Sequence, residues 1–355
     1  MRAAGLVVRG VRNLADATFE LPPDGMALVG PNGHGKTNLL EALAYPILFR
    51  SLRGARDREV ARFGGPGFHV GVQVASGPMI AVTWQAATGR KRITVDDVEQ
   101  ASVAGALGHW LGVAFLPTDL ALVQAGASER RRWLDRMLSL ADPTYLAALL
   151  RYRAALAQRN AALRRGEVRT AALFDGPLAE AGARVVAARH AWAATAAEPW
   201  SRELAAMGET VSVALAYRGD ATLADPAAWP GRLGASAGRD AARGQTHVGP
   251  HRDDVLLTLD GRALRDFGST GQQRSAAVAL RLLELETLAT ARQVRPALLV
   301  DDVFAELDAE RQRRLAHRLL ERPAQRVVTA PRAEDLPTEL ELPRWHVRDG
   351  VVTPT

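Results

Sequence analysis

Gly30-Pro31-Asn32-Gly33-His34-Gly35-Lys36-Thr37 fits the strict pattern G-x-x-x-x-G-K-[ST], in which backbone N–H groups wrap a phosphate, a lysine reaches it and a hydroxyl faces its divalent cation. Such a loop needs a buried strand before it and a helix after it, so that the unpaired amides and dipole of the helix N-terminus point at the anion. Met26-Ala27-Leu28-Val29 is a short apolar run ending at the first glycine, and Asn38-Leu39-Leu40-Glu41-Ala42-Leu43 reads as an opening helix. Lys36 and Lys91 are the only lysines, the other cations being arginine. A compact ammonium is kept where a forked guanidinium would crowd the loop. The candidate nucleotide ligands are therefore Gly30, Asn32, Gly33, His34, Gly35, Lys36, Thr37 and Asn38, against the bland reading of a glycine-rich turn that binds nothing.

The chain of 355 residues is long enough for two domains, and its 47% hydrophobic content excludes a disordered or fibrous protein. A net charge of +6 points to a polyanionic partner, nucleic acid first, with an arginine-rich proteome as the alternative. The absence of cysteine excludes disulfides and thiolate metal sites. No apolar signal core opens the chain and no window approaches a membrane span, so a cytoplasmic protein without membrane contact is expected.

From Leu6 to Pro117 the chain is strand-rich, with one clear helix after Thr37 and a basic loop at Arg50–Arg58 that is a candidate DNA contact. Alanine-rich helical segments run from Ser128 to Gly208, one of them capped and started by Asp142-Pro143. Strands return at Val211–Tyr217 and Asp254–Leu259, the latter closed by the turn Asp260-Gly261, with a loop and one short helix between Asp220 and Gly244. A helix from Gly271 to about Thr290 leads to Ala297-Leu298-Leu299-Val300, whose unbroken apolar character suits a central strand buried on both faces. Arg326–Thr329 and Trp345–Arg348 supply closing strands.

A phosphate loop alone leaves its cation under-coordinated, and the strand ending in Asp301-Asp302 supplies carboxylates. Asp301 is placed to hold Mg²⁺ through water opposite Thr37, and Asp302 to orient an attacking water. The bland alternative is two solvated aspartates at a strand end. Ser269-Thr270-Gly271-Gln272 stands ahead of a helix, where free amides favour a phosphate, and is equally readable as an ordinary N-cap. Gln124 is a candidate sensor of the γ-phosphate or a solvated loop residue. Arg130, Arg131 and Arg132 read as a solvated helix face before a DNA contact. His247 and His251 carry no metal-ligand spacing and read as hydrogen-bonding residues that order the signature region.

This layout resembles the ABC-type ATPase heads related to SMC proteins and, within them, the RecF family. The resemblance rests on Arg12-Asn13, Lys36-Thr37-Asn38-Leu39-Leu40-Glu41-Ala42, Ser128-Glu129-Arg130-Arg131-Arg132-Trp133-Leu134-Asp135 and Gln158-Arg159-Asn160. It rests above all on Thr246-His247-Val248-Gly249-Pro250-His251-Arg252-Asp253-Asp254 and on Asp301-Asp302-Val303-Phe304-Ala305-Glu306-Leu307-Asp308. Thr270, Trp133 and Ala44-Tyr45-Pro46-Ile47 depart from the family pattern.

The resemblance implies an α/β fold, an ABC-type P-loop ATPase head of mixed sheets and helices over 1–120 and 210–355, carrying an inserted all-helical arm at 121–209. It implies ATP and Mg²⁺ as cofactors, Lys36, Asp301 and Asp302 as catalytic residues, Thr37 and Asp301 as metal ligands, and one ATP shared between two protomers. In that arrangement Ser269, Gly271 and Gln272 of one chain close on the phosphate loop of another. Asp308 lies where related heads contact the partner, and Thr329 where they often place a switch histidine. It further implies a weak DNA-dependent ATPase that dimerises on double-stranded and gapped DNA and supports RecA loading and the SOS response with RecO and RecR. The nucleotide-binding subunit of a transporter and an inert nucleotide-binding scaffold are the alternatives.

Overall fold

The computed structural model describes residues 1–354. It divides into two compact units, one of Met1–Asp119, Ala206–Gly208 and Glu284–Thr355, the other of Leu120–Ala205 and Glu209–Leu283. Residues 210–283, which the sequence assigns to the head, are thus grouped in one compact unit with the helical segment.

The first unit contains a six-stranded sheet in the order Val351–Pro354, Arg344–Arg348, Gly25–Val29, Arg326–Ala330, Ala297–Asp301 and Gly112–Phe115. All neighbours are parallel except the hairpin at the Val351–Pro354 edge. Gly25–Val29 and Ala297–Asp301 are buried at every residue, the burial their apolar runs require in a parallel sheet covered on both faces. Parallel pairing aligns the carboxyl ends of the strands, where open α/β sheets bind ligands. The register places Thr329 opposite Asp301 on one side and Leu28 on the other. A second, antiparallel sheet orders Ala17–Glu20, Ala3–Arg9, Gly67–Val74, Met79–Gln85, Lys91–Val95 and Val98–Glu99.

The second unit sets the helices Ala127–Ala141, Pro143–Arg164, Asp175–Ala206 and Trp229–Arg243 with a three-stranded sheet of Val213–Arg218, Asp254–Leu259 and Arg262–Ala263. Asp142 accepts from the Thr144 N–H and Pro143 occupies the first turn, as the sequence predicts. Trp229–Arg243 is longer than the short helix expected there. Pro230 falls in its first turn, where a missing N–H costs nothing, and Gly244 closes it at φ 62°. Trp133, Met137, Tyr152, Trp192, Trp229 and Leu257 belong to one core, so the helical segment does not close on itself but buries its apolar faces with residues from beyond 209.

Arg130, Arg159 and Arg189 are among the arginines buried in this unit. Arg130, 6% exposed, is bidentate to Asp254 at 2.8 and 2.9 Å. Arg159 meets Asp175 at 2.7 Å, Asp240 at 2.8 Å and the Thr246 hydroxyl at 2.8 Å. Arg189 donates to Asp135 at 2.6 Å and to the Pro250 carbonyl at 2.7 Å. The solvated face expected of Arg130–Arg132 is therefore corrected. Only Arg132 is exposed, paired with Glu129, while Arg131 donates to the Asp253 carbonyl at 2.5 Å. A buried guanidinium must keep its partners, and here the run Thr246–Asp254 supplies them.

The two histidines of that run are held as hydrogen-bonding groups. His247 Nδ1 lies 2.8 Å from Asp240, and His251 accepts from the Tyr152 hydroxyl at 2.6 Å while its Nε2–H donates to the Thr246 carbonyl at 2.9 Å. Burial pushes the His251 imidazole down to about 4, so it is neutral at physiological pH. Among the described residues no group of three His, Cys, Asp or Glu is placed to hold a metal ion.

Asp254→Ala should cost roughly 3–5 kcal/mol in urea unfolding, because it strands the buried Arg130 charge. Arg132→Ala on the exposed face should stay within about 0.5 kcal/mol.

Candidate nucleotide-binding site

The loop conformation explains its glycines. Gly33 and Gly35 have φ of 83° and 117°, a region costly for other residues, and a Cβ on Gly30 would lie 2.1 Å from the Val347 carbonyl oxygen. Gly35 caps the helix Lys36–Leu48, so the loop delivers its chain directly to a helix N-terminus. The Lys36 ammonium, almost wholly buried, donates to the Gly30 and Pro31 carbonyls at 2.7 and 3.2 Å and to Asn32 Oδ1 at 3.3 Å. Three oxygens at these distances mark a pocket built for a cation inside the loop. An anionic phosphate oxygen is a stronger acceptor than any of them.

Opposite the helix stands the end of Ala297–Asp301. Thr37 Oγ1 donates to Asp301 Oδ1 at 2.9 Å, bringing together two residues far apart in the chain. Asp301 is 6% exposed. Burial pushes its carboxyl up, the hydroxyls of Thr37 and Thr329 pull it back, and neighbouring Asp302 raises it again, leaving it above the ordinary value. A hydroxyl and a carboxylate side by side are hard oxygen ligands, the set Mg²⁺ takes when phosphates and water complete its shell. Asp302 follows at φ 48°. Its N–H donates to Thr329 Oγ1 at 2.9 Å, and its carboxylate lies 3.0 Å from the same oxygen.

Several residues that the motif alone does not single out brace the loop. Glu41, 1% exposed and one turn beyond Thr37, accepts from Arg12 at 2.7 Å, from Arg53 at 2.7 Å and from Ser51. Arg53 also donates to Asn38 at 2.7 Å, Asn38 to Asn13 at 2.7 Å, and Asn13 to the Gly33 carbonyl at 3.3 Å, so a chain of side chains ties the first turn to the loop. Arg53 of the basic loop is thus committed to the fold, while Arg50, Arg56 and Arg58 are exposed. His34 Nδ1 accepts from the Asp349 N–H at 3.0 Å, and its carbonyl accepts from Gly350 at 2.9 Å. These two bonds lash the loop to the turn between Arg344–Arg348 and Val351–Pro354.

The signature residues lie in the second unit. Ser269 and Gln272 form a reciprocal cap on the helix Thr270–Arg292: Gln272 N–H donates to Ser269 Oγ at 3.2 Å, and Ser269 N–H donates to Gln272 Oε1 at 2.9 Å. Ser269 remains exposed and Gly271 half-buried. Gln124 donates at 2.7 Å to Gln273, whose own amide is spent on the Leu264, Arg265 and Gly268 carbonyls. Gln124 thereby braces the turn that presents Ser269. Asp308, back in the first unit, caps the helix Ala309–Leu320 through Arg311.

No family model matches the chain. It is 37% identical to the DNA replication and repair protein RecF of Anaeromyxobacter sp. (strain K), over 100% of this chain and 99% of the relative. Its identity to that of Frankia alni is also 37%, over 96% of both. A solved structure of the recombination mediator protein RecF-ATP in the RecFOR pathway superposes with a TM-score of 0.89 at 29% identity, covering 99% of this chain and 97% of that one. The Smc head domain of Pyrococcus furiosus, bound to the C-terminal domain of ScpA, superposes at 0.58 with 15% identity over 99% and 95%, a likeness of fold alone. The fold is that of an ABC-type ATPase head.

Burial pushes the Glu41 carboxyl up, but the Arg12 and Arg53 guanidiniums and Ser51 overcome it and hold it below its ordinary 4.5. A carboxyl lowered on folding stabilises above the unfolded value and loses that contribution as pH falls through the folded one. Glu41→Gln should therefore cost about 1–3 kcal/mol near neutrality, with the difference between wild type and variant shrinking in thermal melts as pH falls below that ordinary value.

Proposed function

The chain belongs to the RecF family of DNA replication and repair proteins, and from that premise we propose that it is an ATP-dependent DNA-binding protein of recombinational repair and replication whose nucleotide acts as a clamp. The observation that carries this is the 2.9 Å contact of Thr37 with Asp301 at the mouth of a P-loop holding Lys36.

In this reading the loop amides and Lys36 bind the triphosphate of ATP, with Gly30, Asn32, Gly33, His34, Gly35 and Asn38 shaping the cradle. Thr37 and Asp301 would hold Mg²⁺, which supplies charge neutralisation at the β- and γ-phosphates. Asp302 orients the attacking water. A protomer's loop leaves one side of the γ-phosphate open, and Ser269, Gly271 and Gln272 of a second copy close it with helix-terminal amides. ATP is then the adhesive of a head-to-head dimer, and hydrolysis removes the charge that held the second copy. Asp302 is one methylene shorter than a glutamate, which sets the water farther from the carboxylate and makes hydrolysis slow.

The functional division is a head drawn from 1–120 and 210–355 and an arm at 121–209. A dimer of a chain with net charge +6 suits DNA at single-strand gaps, with Arg50, Arg56 and Arg58 available to phosphates. RecO and RecR would act with it in RecA loading and the SOS response, in the cytoplasm. Among the described residues no helix is long and apolar enough to cross a membrane.

Sedimentation and DNA binding should be compared without nucleotide, with ADP and with ATP. ATP alone should give a dimer that binds DNA with steep salt dependence and turns over below about 1 s⁻¹. Lys36→Met should abolish ATP binding, whereas Ser269→Arg should bind ATP yet remain monomeric. Unchanged sedimentation and DNA affinity on adding ATP would refute the clamp.

A further inference from the structure

Thr329 is the penultimate residue of the strand Arg326–Ala330, which lies between the loop strand and the carboxylate strand. It is 1% exposed, and its register neighbours are Asp301 and Leu28. Its Oγ1 stands 2.9 Å from Asp301 Oδ1 and 3.0 Å from Asp302 Oδ1, and it accepts from the Asp302 N–H at 2.9 Å. A threonine hydroxyl has one proton and two acceptor sites. The Asp302 N–H occupies one acceptor site, and the single proton faces two carboxylates. Asp301 has a second donor in Thr37, whereas the hydrogen bonds of the Asp302 carboxylate are to Thr329.

We propose that Thr329 is a positioning residue for ATP hydrolysis, its one hydroxyl proton shared between Asp301 and Asp302 so that the two carboxylates are oriented as a pair. This rests on the ATPase reading above. The hydroxyl does what an aliphatic side chain of the same shape cannot. It keeps two like charges at the end of adjacent residues from swinging apart into solvent, and it pins the backbone of Asp302 in a left-handed conformation. Because Thr37 also serves Asp301, the proton can turn wholly to Asp302 without leaving the metal-side carboxylate undonated. The catalytic-side carboxylate is then fixed by a group that is itself buried.

Valine is the decisive substitution, since it keeps the β-branched shape and strand propensity while removing the hydroxyl. Wild type, Thr329→Val and Thr329→Ser should be compared in steady-state hydrolysis, in titration with a fluorescent ATP analogue across Mg²⁺ concentration, and in thermal melting. Thr329→Val should lower kcat about tenfold or more with KM for ATP changed less than about threefold. It should also raise the Mg²⁺ concentration that half-saturates analogue binding, and Thr329→Ser should restore most of both. On the Thr329→Val background, Asp302→Asn should add less than it does alone, because residues acting as a unit are not additive. Should the valine variant fail to fold, Thr329→Ala against Thr329→Ser asks the same question. Wild-type turnover with an indifferent Thr329→Val, or equal loss in the serine and valine variants, would overturn the inference alone. Wild-type protein that bound no ATP would overturn the functional reading and this inference together.

Discussion

The contact between the Thr37 hydroxyl and the Asp301 carboxylate is the constraint on which the nucleotide site depends. It exists because Gly25–Val29, Arg326–Ala330 and Ala297–Asp301 run parallel and in register, so that three strand ends arrive at one edge of the sheet. The strands are apolar through their buried middles, and Thr329 and Asp301 stand as buried polar residues near the carboxyl ends of two of them. The hydrophobic effect thus sets the depth of the sheet, and the sheet sets the positions of Thr329 and Asp301. The glycines of the loop then let the chain fold back tightly enough for Lys36 to enter it from the helix side.

Around that contact the chain places bracing rather than reactive groups. Glu41 is buried in a shell of Arg12, Arg53 and Ser51, and the asparagines 13 and 38 carry its influence to Gly33. The turn at Asp349-Gly350 holds His34 from the other side. A phosphate loop must be rigid before its ligand arrives if its amides are to converge, and these contacts supply that rigidity. In the second unit Arg130, Arg159 and Arg189 perform the corresponding task, with guanidiniums that order the run Thr246–Asp254. Charge buried in this way favours one arrangement of the helices over others, since any slip leaves an ion unpaired.

Much of the first unit was legible in the chain. The phosphate loop, its strand and helix, and the carboxylate strand are each encoded within a dozen residues by glycine placement and apolar runs, and the observed elements fall where those patterns put them. The second unit was legible as helices and strands but not as a packed body. Alanine-rich segments have weak periodicity, and the length of Trp229–Arg243 was hidden by proline and glycine residues that sit where a helix tolerates them. Arg130, next to two further arginines in the sequence, looked like surface charge because only the fold brings Asp254 to it.

By itself the sequence determined the chemistry on offer: a phosphate cradle, an oxygen ligand set for a hard cation, and a capped helix start at Ser269. These are local properties, written in neighbouring residues through backbone freedom, hydropathy and side-chain charge. The tertiary structure decided which charges are buried and whom they meet. Thr37 and Asp301 are 264 positions apart, Arg130 and Asp254 124, and Thr329 reaches both carboxylates only because its strand lies beside theirs. No local pattern specifies such pairs, since strand order and helix packing minimise exposed apolar surface over the whole chain, and the polar contacts follow from where that minimum leaves the strand ends.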